Sequence, residues 1–242
     1  MNDFDALLDE AAAVPLEGWD FAWFEGRATE QRPGWGYADL VAERLGPARR
    51  ALDVQTGGGE VFSYAIRKAH PTGMVVATEA WMPAAAKATV PHVVATDGLP
   101  FRDGSFDLVV SRHPVGTDWA GTARVLAEGG TFLSQQIGAG SNRELSEAMM
   151  GPLPPPERQH PEQIRAAAEG AGLRVRRLEA VRLRAEFYDV AAVAHFLRKV
   201  VWTVPGFTIG KYRDQLRAVH EEITVKGMFV SHATRVLIEA VR

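Results

Sequence analysis

The sequence predicts an open α/β fold with a parallel sheet. The clearest signal is the stretch 51–60, where a short apolar run ends at Asp53, three consecutive glycines follow, and helix-like spacing begins at Glu60. A buried strand, a glycine turn and a helix in this order form the layout of a nucleotide site at the carboxyl edge of an open sheet. Further apolar runs of strand length follow over 73–79, 92–97 and 105–111. The intervals before the first two leave room for a crossover helix, and a turn precedes the third.

Residues 1–46 are expected to form a helical and aromatic segment that covers the sheet domain. A short amphipathic helix is predicted over 2–13, and a second helix over 37–45 ends at a Gly-Pro pair. The segment 15–37 between them lacks periodicity and is dense in Trp and Phe. Aromatic residues in such a segment either pack against a core or line a pocket.

The C-terminal third continues the sheet and interrupts it once. A helix is predicted over 161–170, followed by an alternating strand over 173–178 that extends past a bend to 187, and the last strand is expected within 228–241. The helical insertion before that strand is a structural cap, a lid that excludes water from an acceptor, or a dimer surface. The chain therefore divides into a cover segment, a sheet domain and an insertion: 1–46, 47–188 with 227–242, and 189–226.

Composition excludes several classes of protein. The 242 residues suit one large domain with an insertion, and 46% of them are hydrophobic, as in a soluble globule. A net charge of −3 with scattered Lys and Arg makes nucleic acid an unexpected partner. The absence of cysteine removes disulfides, Cys-based metal sites and a cysteine nucleophile. We expect a cytoplasmic monomer or homodimer, since the chain has neither a secretory signal nor a run of ~18 apolar residues.

The glycine turn does not match the common nucleotide fingerprints. A dinucleotide site needs G-x-G-x-x-G, and from Gly57 and Gly59 the third glycine would fall at Phe62. No G-x-x-x-x-G-K-[ST] phosphate loop occurs either. A nicotinamide, a flavin or a nucleoside triphosphate is therefore disfavoured, and a strand-turn-helix without a ligand stays an alternative.

Four ordered blocks carry a resemblance to a known family. The first is an acid followed by a glycine turn, with Asp53 as the acid, Gly57 and Gly59 as the second and third glycines, and Gln55 in place of the first. The second is the strand that ends at Glu79. The others are Asp97 to Val109 and Ala123 to Leu133, close to D-x-x-x-(L)-P-F-x-D-x-S-F-D-L-V and R-V-L-x-P-G-G. Over about residues 50–137 the chain resembles the class I S-adenosylmethionine-dependent methyltransferases of the small "methyltransferase type 11" kind.

The resemblance implies a Rossmann-like, mostly parallel sheet of seven strands with helices on both faces, an antiparallel last strand and S-adenosyl-L-methionine as cofactor. Glu79 would bind the ribose hydroxyls and Asp97 the adenine amino group. Arg27 is either a partner for the cofactor carboxylate or a solvated surface residue. The full set assigned to the cofactor is Asp53, Gln55, Thr56, Gly57, Gly59, Glu79, Asp97, Gly98, Ser111 and Arg27.

The acceptor is expected to be a small organic molecule methylated on O or N. The position after the fourth strand borders the transferable methyl in this family, which makes His113 the candidate general base or a pocket-lining residue. No metal site is expected. An RNA-modifying enzyme and a silent cofactor-binding protein are the alternatives. The predicted acceptor-lining residues are Trp23, Tyr37, Arg112, Gln136, Trp202 and Phe207.

Overall fold

A computed structural model describes residues 4–16, 21–96 and 98–242. In chain order its helices are α1 Phe4–Ala13, α2 Tyr37–Leu45, α3 Glu60–Ala69, α4 Met82–Ala85, α5 Trp119–Val125, α6 Arg143–Met150, α7 Pro161–Gly170, α8 Val190–Lys199 and α9 Arg213–Lys226. Its strands are β1 Ala28–Glu30, β2 Arg50–Asp53, β3 Met74–Glu79, β4 Val93–Ala95, β5 Phe106–Arg112, β6 Leu126–Ile137, β7 Arg174–Phe187 and β8 Phe229–Val241.

The strands form one mixed sheet in the order β1-β7-β8-β6-β5-β2-β3-β4. β2 pairs in parallel with β3 on one side and with β5 on the other, and β6 continues the parallel series. β8 runs antiparallel to β6. The predicted fold class is confirmed, but among the described residues the sheet has eight strands and not seven. The additional strand is β1, which lies in the aromatic segment and pairs antiparallel with β7.

The order in which the strands are added to the sheet reverses at β2. The chain passes from β2 to β3 and β4 on one side, and then returns to β5 on the other side. Open α/β sheets bind ligands in the crevice outside the carboxyl ends of the strands at this reversal. The turn after β2 and the loop after β5 therefore border the expected ligand crevice.

The chain divides into two compact units, and the first comprises 33–139, 157–181 and 235–242. Successive residues of its strands join two different apolar clusters, because side chains alternate between the faces of a sheet. One face carries Leu52, Val109 and Phe132, packed with Ile164 and Ala168 of α7. The opposite face carries Ala51, Leu108 and Leu133, packed with Val41 of α2 and Phe62 of α3.

The second unit comprises 1–32, 140–156 and 182–234. It has one apolar cluster, to which α1, α8 and α9 contribute. The Asp189 carboxylate accepts from the Ala192 N–H at 2.7 Å and so caps the start of α8. Residues 1–32 of the predicted cover segment and the whole predicted insertion 189–226 thus belong to the same unit. No helix of the described ranges is long and apolar enough to cross a membrane.

Candidate active site

The turn between β2 and α3 adopts a glycine-like backbone at three positions. Gln55, Gly57 and Gly59 have φ of 58°, 63° and 78°. Glycine adopts such angles without steric cost, whereas a residue with a Cβ does not. Gln55 replaces the family's first glycine and yet keeps a glycine-like φ. The turn is tied to β3 by a 2.9 Å hydrogen bond from the Thr56 N–H to the Thr78 carbonyl.

Glu79 lies at the carboxyl end of β3 and accepts two backbone hydrogen bonds. Its Oε2 accepts from the Gly57 N–H at 2.7 Å, and its Oε1 accepts from the Trp81 N–H at 2.8 Å. An ionised carboxylate has about four lone-pair sites, so Glu79 retains acceptor capacity for hydroxyl groups. The side chains that follow are exposed although they are apolar: Trp81 is 47% and Met82 60% exposed. Sequence reasoning missed these two residues, although a large apolar pair directly after an acid-ended strand is a usable signal.

Asp53 ends β2 and is buried, with 6% of its surface exposed. Burial raises the pKa of its carboxyl and the hydrogen bond from Thr56 opposes this. The charge of Glu79 adds to the rise and the charge of Arg112 lowers it, and the net pKa is about 7. The Thr56 hydroxyl donates to Oδ2 at 2.6 Å. The protonated and ionised forms of Asp53 therefore have similar populations near neutral pH, and a nearby cation would favour the ionised form.

A chain of hydrogen bonds fixes the state of His113. The Trp35 indole N–H donates to Gln135 Oε1 at 2.7 Å, and Gln135 Nε2 lies 2.9 Å from His113 Nε2. An indole nitrogen can only donate, so Gln135 must accept with its oxygen and donate with its nitrogen. His113 Nε2 is then the acceptor, and the ring proton resides on Nδ1.

The surroundings of His113 keep its ring neutral. Burial, followed by the charges of Arg112 and Arg235, lowers the pKa of His113 to about 2. A histidine with this pKa is a weak general base at neutral pH. The neighbouring phenol of Tyr37 donates to the Ser111 carbonyl at 2.9 Å, and burial raises its pKa well above the ordinary value of 10. Both side chains are therefore neutral hydrogen-bonding groups.

The loop after β5 lies against the glycine turn. The Ser111 hydroxyl donates to the Val54 carbonyl at 2.9 Å, and Gln136 Nε2 donates to the Thr117 hydroxyl at 3.1 Å. Between the loop and the turn is a crevice of about 80 Å³. A wider cleft of about 350 Å³ lies beside Trp35 and is lined also by Gly34, Arg177 and Glu179.

The structure brings together one group of the predicted residues within the first unit. Direct contacts join the turn, Glu79, Asp53, Ser111 and Tyr37, and Arg112 is exposed at the end of β5. The Gly98 N–H donates to the Thr96 hydroxyl at 3.1 Å, whereas Asp97 lies outside the described residues. The backbone of Val115 and Gly116, which bonds to Gln55, had no signal in the sequence.

The other predicted residues belong to the second unit. The guanidinium of Arg27 pairs with Glu10 at 2.6 Å and with Asp189 at 3.5 Å, and it lies 4.4 Å from the centroid of the Trp23 ring. Phe207 stacks on Tyr212, and Trp202 is 54% exposed. The guanidinium of Arg27 thus has protein partners in the structure, and its predicted contact with a cofactor stays a prediction.

Comparison with known proteins agrees with this architecture. No protein-family model and no curated protein sequence matches the chain. Several solved structures are similar to the protein. A candidate methyltransferase from Bacillus halodurans has a TM-score of 0.58 and 18% identity, covering 84% of this chain and 97% of that one. The [4+2]-cyclase SpnF has a TM-score of 0.53 and 17% identity, covering 98% and 92%.

A third similar structure contains ligands. Geranyl diphosphate C-methyltransferase from Streptomyces coelicolor, in complex with Mg²⁺, geranyl diphosphate and S-adenosyl-L-homocysteine, has a TM-score of 0.52 and 15% identity over 85% of this chain and 77% of its own. Identities this low support conclusions about the fold only. The chain has the Rossmann-like fold of the class I S-adenosylmethionine-dependent methyltransferases.

Proposed function

We propose that the protein is an S-adenosylmethionine-dependent methyltransferase that acts on a small organic acceptor. The observation that carries the proposal is the carboxylate of Glu79, which bonds to the Gly57 N–H of the glycine turn and retains lone pairs for further donors. In such a sheet, a carboxylate at the end of the strand that follows the glycine turn and its helix, here β3, accepts hydrogen bonds from ribose hydroxyls.

The neighbouring residues fit the other parts of this cofactor. Trp81 and Met82 offer exposed apolar surface beside Glu79 for the adenine ring. Asp53, with a pKa of about 7, becomes more readily ionised near a cation, and the cofactor carries a sulfonium and an ammonium group. The positive φ of Gly57 and Gly59 lets the backbone approach a ligand closely.

The protein's contribution to methyl transfer is mainly alignment. The bound cofactor supplies a methyl group that is activated for in-line displacement by its sulfonium. Holding an acceptor in line with that methyl is worth up to ~7–11 kcal/mol for a well-oriented pair. His113 as general base stays a prediction from the sequence. Its hydrogen bonds and low pKa favour a different role, in which Nδ1–H donates a hydrogen bond.

The proposed site for the methyl acceptor rests on the neutral side chains of His113 and Tyr37 and on the cleft beside Trp35. This cleft of about 350 Å³ is open to solvent, and Trp35 connects it to the neutral groups through the hydrogen bond to Gln135. Tyr37, Gln136 and Arg112 are the proposed acceptor contacts of the sheet domain. The lid role of 189–226, with Trp23, Trp202 and Phe207 as lining residues, stays a prediction.

A silent cofactor-binding protein is the second candidate. The low pKa and fixed tautomer of His113 favour it, since they make this side chain a weak general base for methyl transfer. An RNA-modifying enzyme has less support, because the net charge is −3. Strongly salt-sensitive RNA binding would favour the RNA-modifying enzyme.

The experiment that tests the proposal is titration calorimetry with S-adenosylhomocysteine. We expect 1:1 binding by the wild type and a loss of about 1–3 kcal/mol in Glu79→Ala. Glu239→Ala is the matched control, because Glu239 lies in β8 and pairs with Arg44 at 2.8 Å. Absence of binding by the wild type would refute cofactor use. Binding without transfer of labelled methyl to any metabolite of a cell extract would favour the silent protein.

A further inference from the structure

The side chain of Gln55 bonds to the loop after β5 at two points. Its Nε2 donates to the Gly116 carbonyl at 2.9 Å, and its Oε1 accepts from the Val115 N–H at 2.8 Å. Both ends of one amide are thus paired with the backbone of consecutive residues. We call this pairing of Gln55 with Val115 and Gly116 the Gln55 bridge.

The Gln55 bridge spans the ligand crevice of the sheet. One end is the turn after β2 and the other is the loop after β5, and these two parallel strands are neighbours at the reversal of strand order. Ligands of open α/β sheets occupy this place. The remaining crevice, lined among others by Ser111, Pro114 and Thr117, holds about 80 Å³. Sites for small molecules have ~300–1,000 Å³, so a nucleoside with an amino-acid tail requires a wider crevice.

The bridge exists although the backbone on both sides is strained. Gln55 has φ 58°, and His113 at the start of the loop has φ 52°. Left-handed conformations cost a residue with a Cβ roughly 1 kcal/mol. A glycine at position 55 would remove both the strain and the bridge. The side chain, and not backbone preference, therefore accounts for the closure.

We propose that Gln55 controls cofactor binding by holding the loop 113–118 over the crevice, and that S-adenosylmethionine must displace the Gln55 bridge in order to bind. The inference rests on the proposed function, because it concerns the same cofactor. It adds a residue that decides when the site is open. The bound cofactor replaces the amide of Gln55 between the turn and the loop, and the loop moves outward.

Two substitutions separate the bridge from the strain. Gln55→Gly removes the bridge and relieves φ, whereas Gln55→Ala removes the bridge and keeps the Cβ. Each neutral hydrogen bond that no longer has to break is worth about two- to tenfold in affinity. Both variants should therefore bind S-adenosylhomocysteine about tenfold more tightly than the wild type. His70→Gly is the control, because His70 has φ 46° at the end of α3 and its substitution relieves strain outside the bridge.

Residue-resolved hydrogen exchange provides a second readout. The Val115 amide is protected by Gln55 Oε1 in the free protein, so its exchange should accelerate in Gln55→Ala. In the wild type, S-adenosylhomocysteine should accelerate exchange at Val115 while the Gly57 amide, bonded to Glu79, stays protected. Ordinary ligand binding slows exchange, so acceleration at this amide identifies displacement of the bridge.

The outcomes distinguish the bridge from the proposed function. Equal or weaker binding by both Gln55 variants, or slower exchange at Val115 on binding, overturns the role of Gln55. Binding by Gln55→Gly but not by the wild type supports the Gln55 bridge as a block to binding and refutes cofactor use by the wild type. If neither the wild type nor a variant binds, cofactor use fails, and control of cofactor binding by Gln55 fails with it.

Discussion

Asp53 should make the stability of the protein fall as pH rises from about 4 to 7. The carboxyl is 6% exposed and its pKa is about 7, because burial disfavours the charged form. In the unfolded chain its pKa is near the ordinary 3.8. Between these values the folded state retains a proton that the unfolded state has released. Stability therefore decreases with rising pH in this window and is constant above it with respect to this group.

The size of the effect follows from the two pKa values. The difference between about 7 and 3.8 corresponds, at about 1.4 kcal/mol per pH unit, to about 4 kcal/mol of unfolding free energy. Asp53→Asn keeps the shape of the side chain and an oxygen that can accept from the Thr56 hydroxyl, but it has no charge to bury. Its stability relative to the wild type should rise by up to about 4 kcal/mol between pH 4 and pH 8.

Urea unfolding of both proteins at half-unit pH steps measures this difference. Asp9→Asn, the same substitution at an exposed residue, is the control for loss of a surface charge. A difference between Asp53→Asn and the wild type that stays constant from pH 4 to 8 would refute the argument. So would a wild type that becomes more stable than the variant as pH rises, since that would mean that the folded state favours the ionised form.

Two further changes test the hydrogen bonds described above. Gln135→Leu should abolish the single tautomer of His113. Nitrogen NMR from pH 5 to 8 should find the wild-type ring protonated at Nδ1 and the variant ring in mixed tautomers. A wild-type ring that titrates near 6.5 would contradict the hydrogen-bond assignment. Asp118→Ala should lower the unfolding free energy by about 1 kcal/mol, because Asp118 Oδ1 accepts from the Gly121 N–H at 2.8 Å at the start of α5. Asp118→Asn should retain most of that stability, and equal losses in the two variants would contradict a capping role.

Elements with local signals could be predicted from the sequence. The helix Tyr37–Leu45 and the helix Pro161–Gly170 have the predicted bounds, because each combines apolar periodicity with a terminal signal. The strand predicted over 173–178 and its predicted continuation form one unbroken strand, Arg174–Phe187. The parallel pairing of β2, β3 and β4 also followed from local pattern, since the apolar runs that end at Asp53 and Glu79 are each followed by a crossover of suitable length.

Elements that depend on distant residues could not be predicted. β1 has three residues, too few for an alternating pattern, and its partner lies more than 150 positions away. The helix Trp119–Val125 was not predicted because a glycine interrupts its short apolar pattern, and its signal is the cap at Asp118. The helix Arg143–Met150 also went unassigned.

In the candidate site, too, the sequence could predict single residues but not the contacts between distant ones. The sequence could name Glu79 as an acid at the end of a strand, but the bond of its carboxylate to Gly57 is a tertiary contact over 22 positions. The state of His113 depends on Gln135 and, through it, on Trp35, which lies 100 positions from Gln135. Composition carries no information about such a chain of donors and acceptors.

The pairing of β1 with β7 has a consequence for shortened forms of the protein. β7 is a strand of 14 residues at the margin of the sheet, and β1 covers its last part at Ala185 to Phe187, reinforced by the Gln31 N–H donating to the Arg184 carbonyl at 2.9 Å. A chain that starts after residue 32 would leave these backbone groups without their partner. Free edges of this kind recruit strands from other molecules and promote aggregation. We therefore expect a chain shortened in this way to aggregate more readily than the full chain.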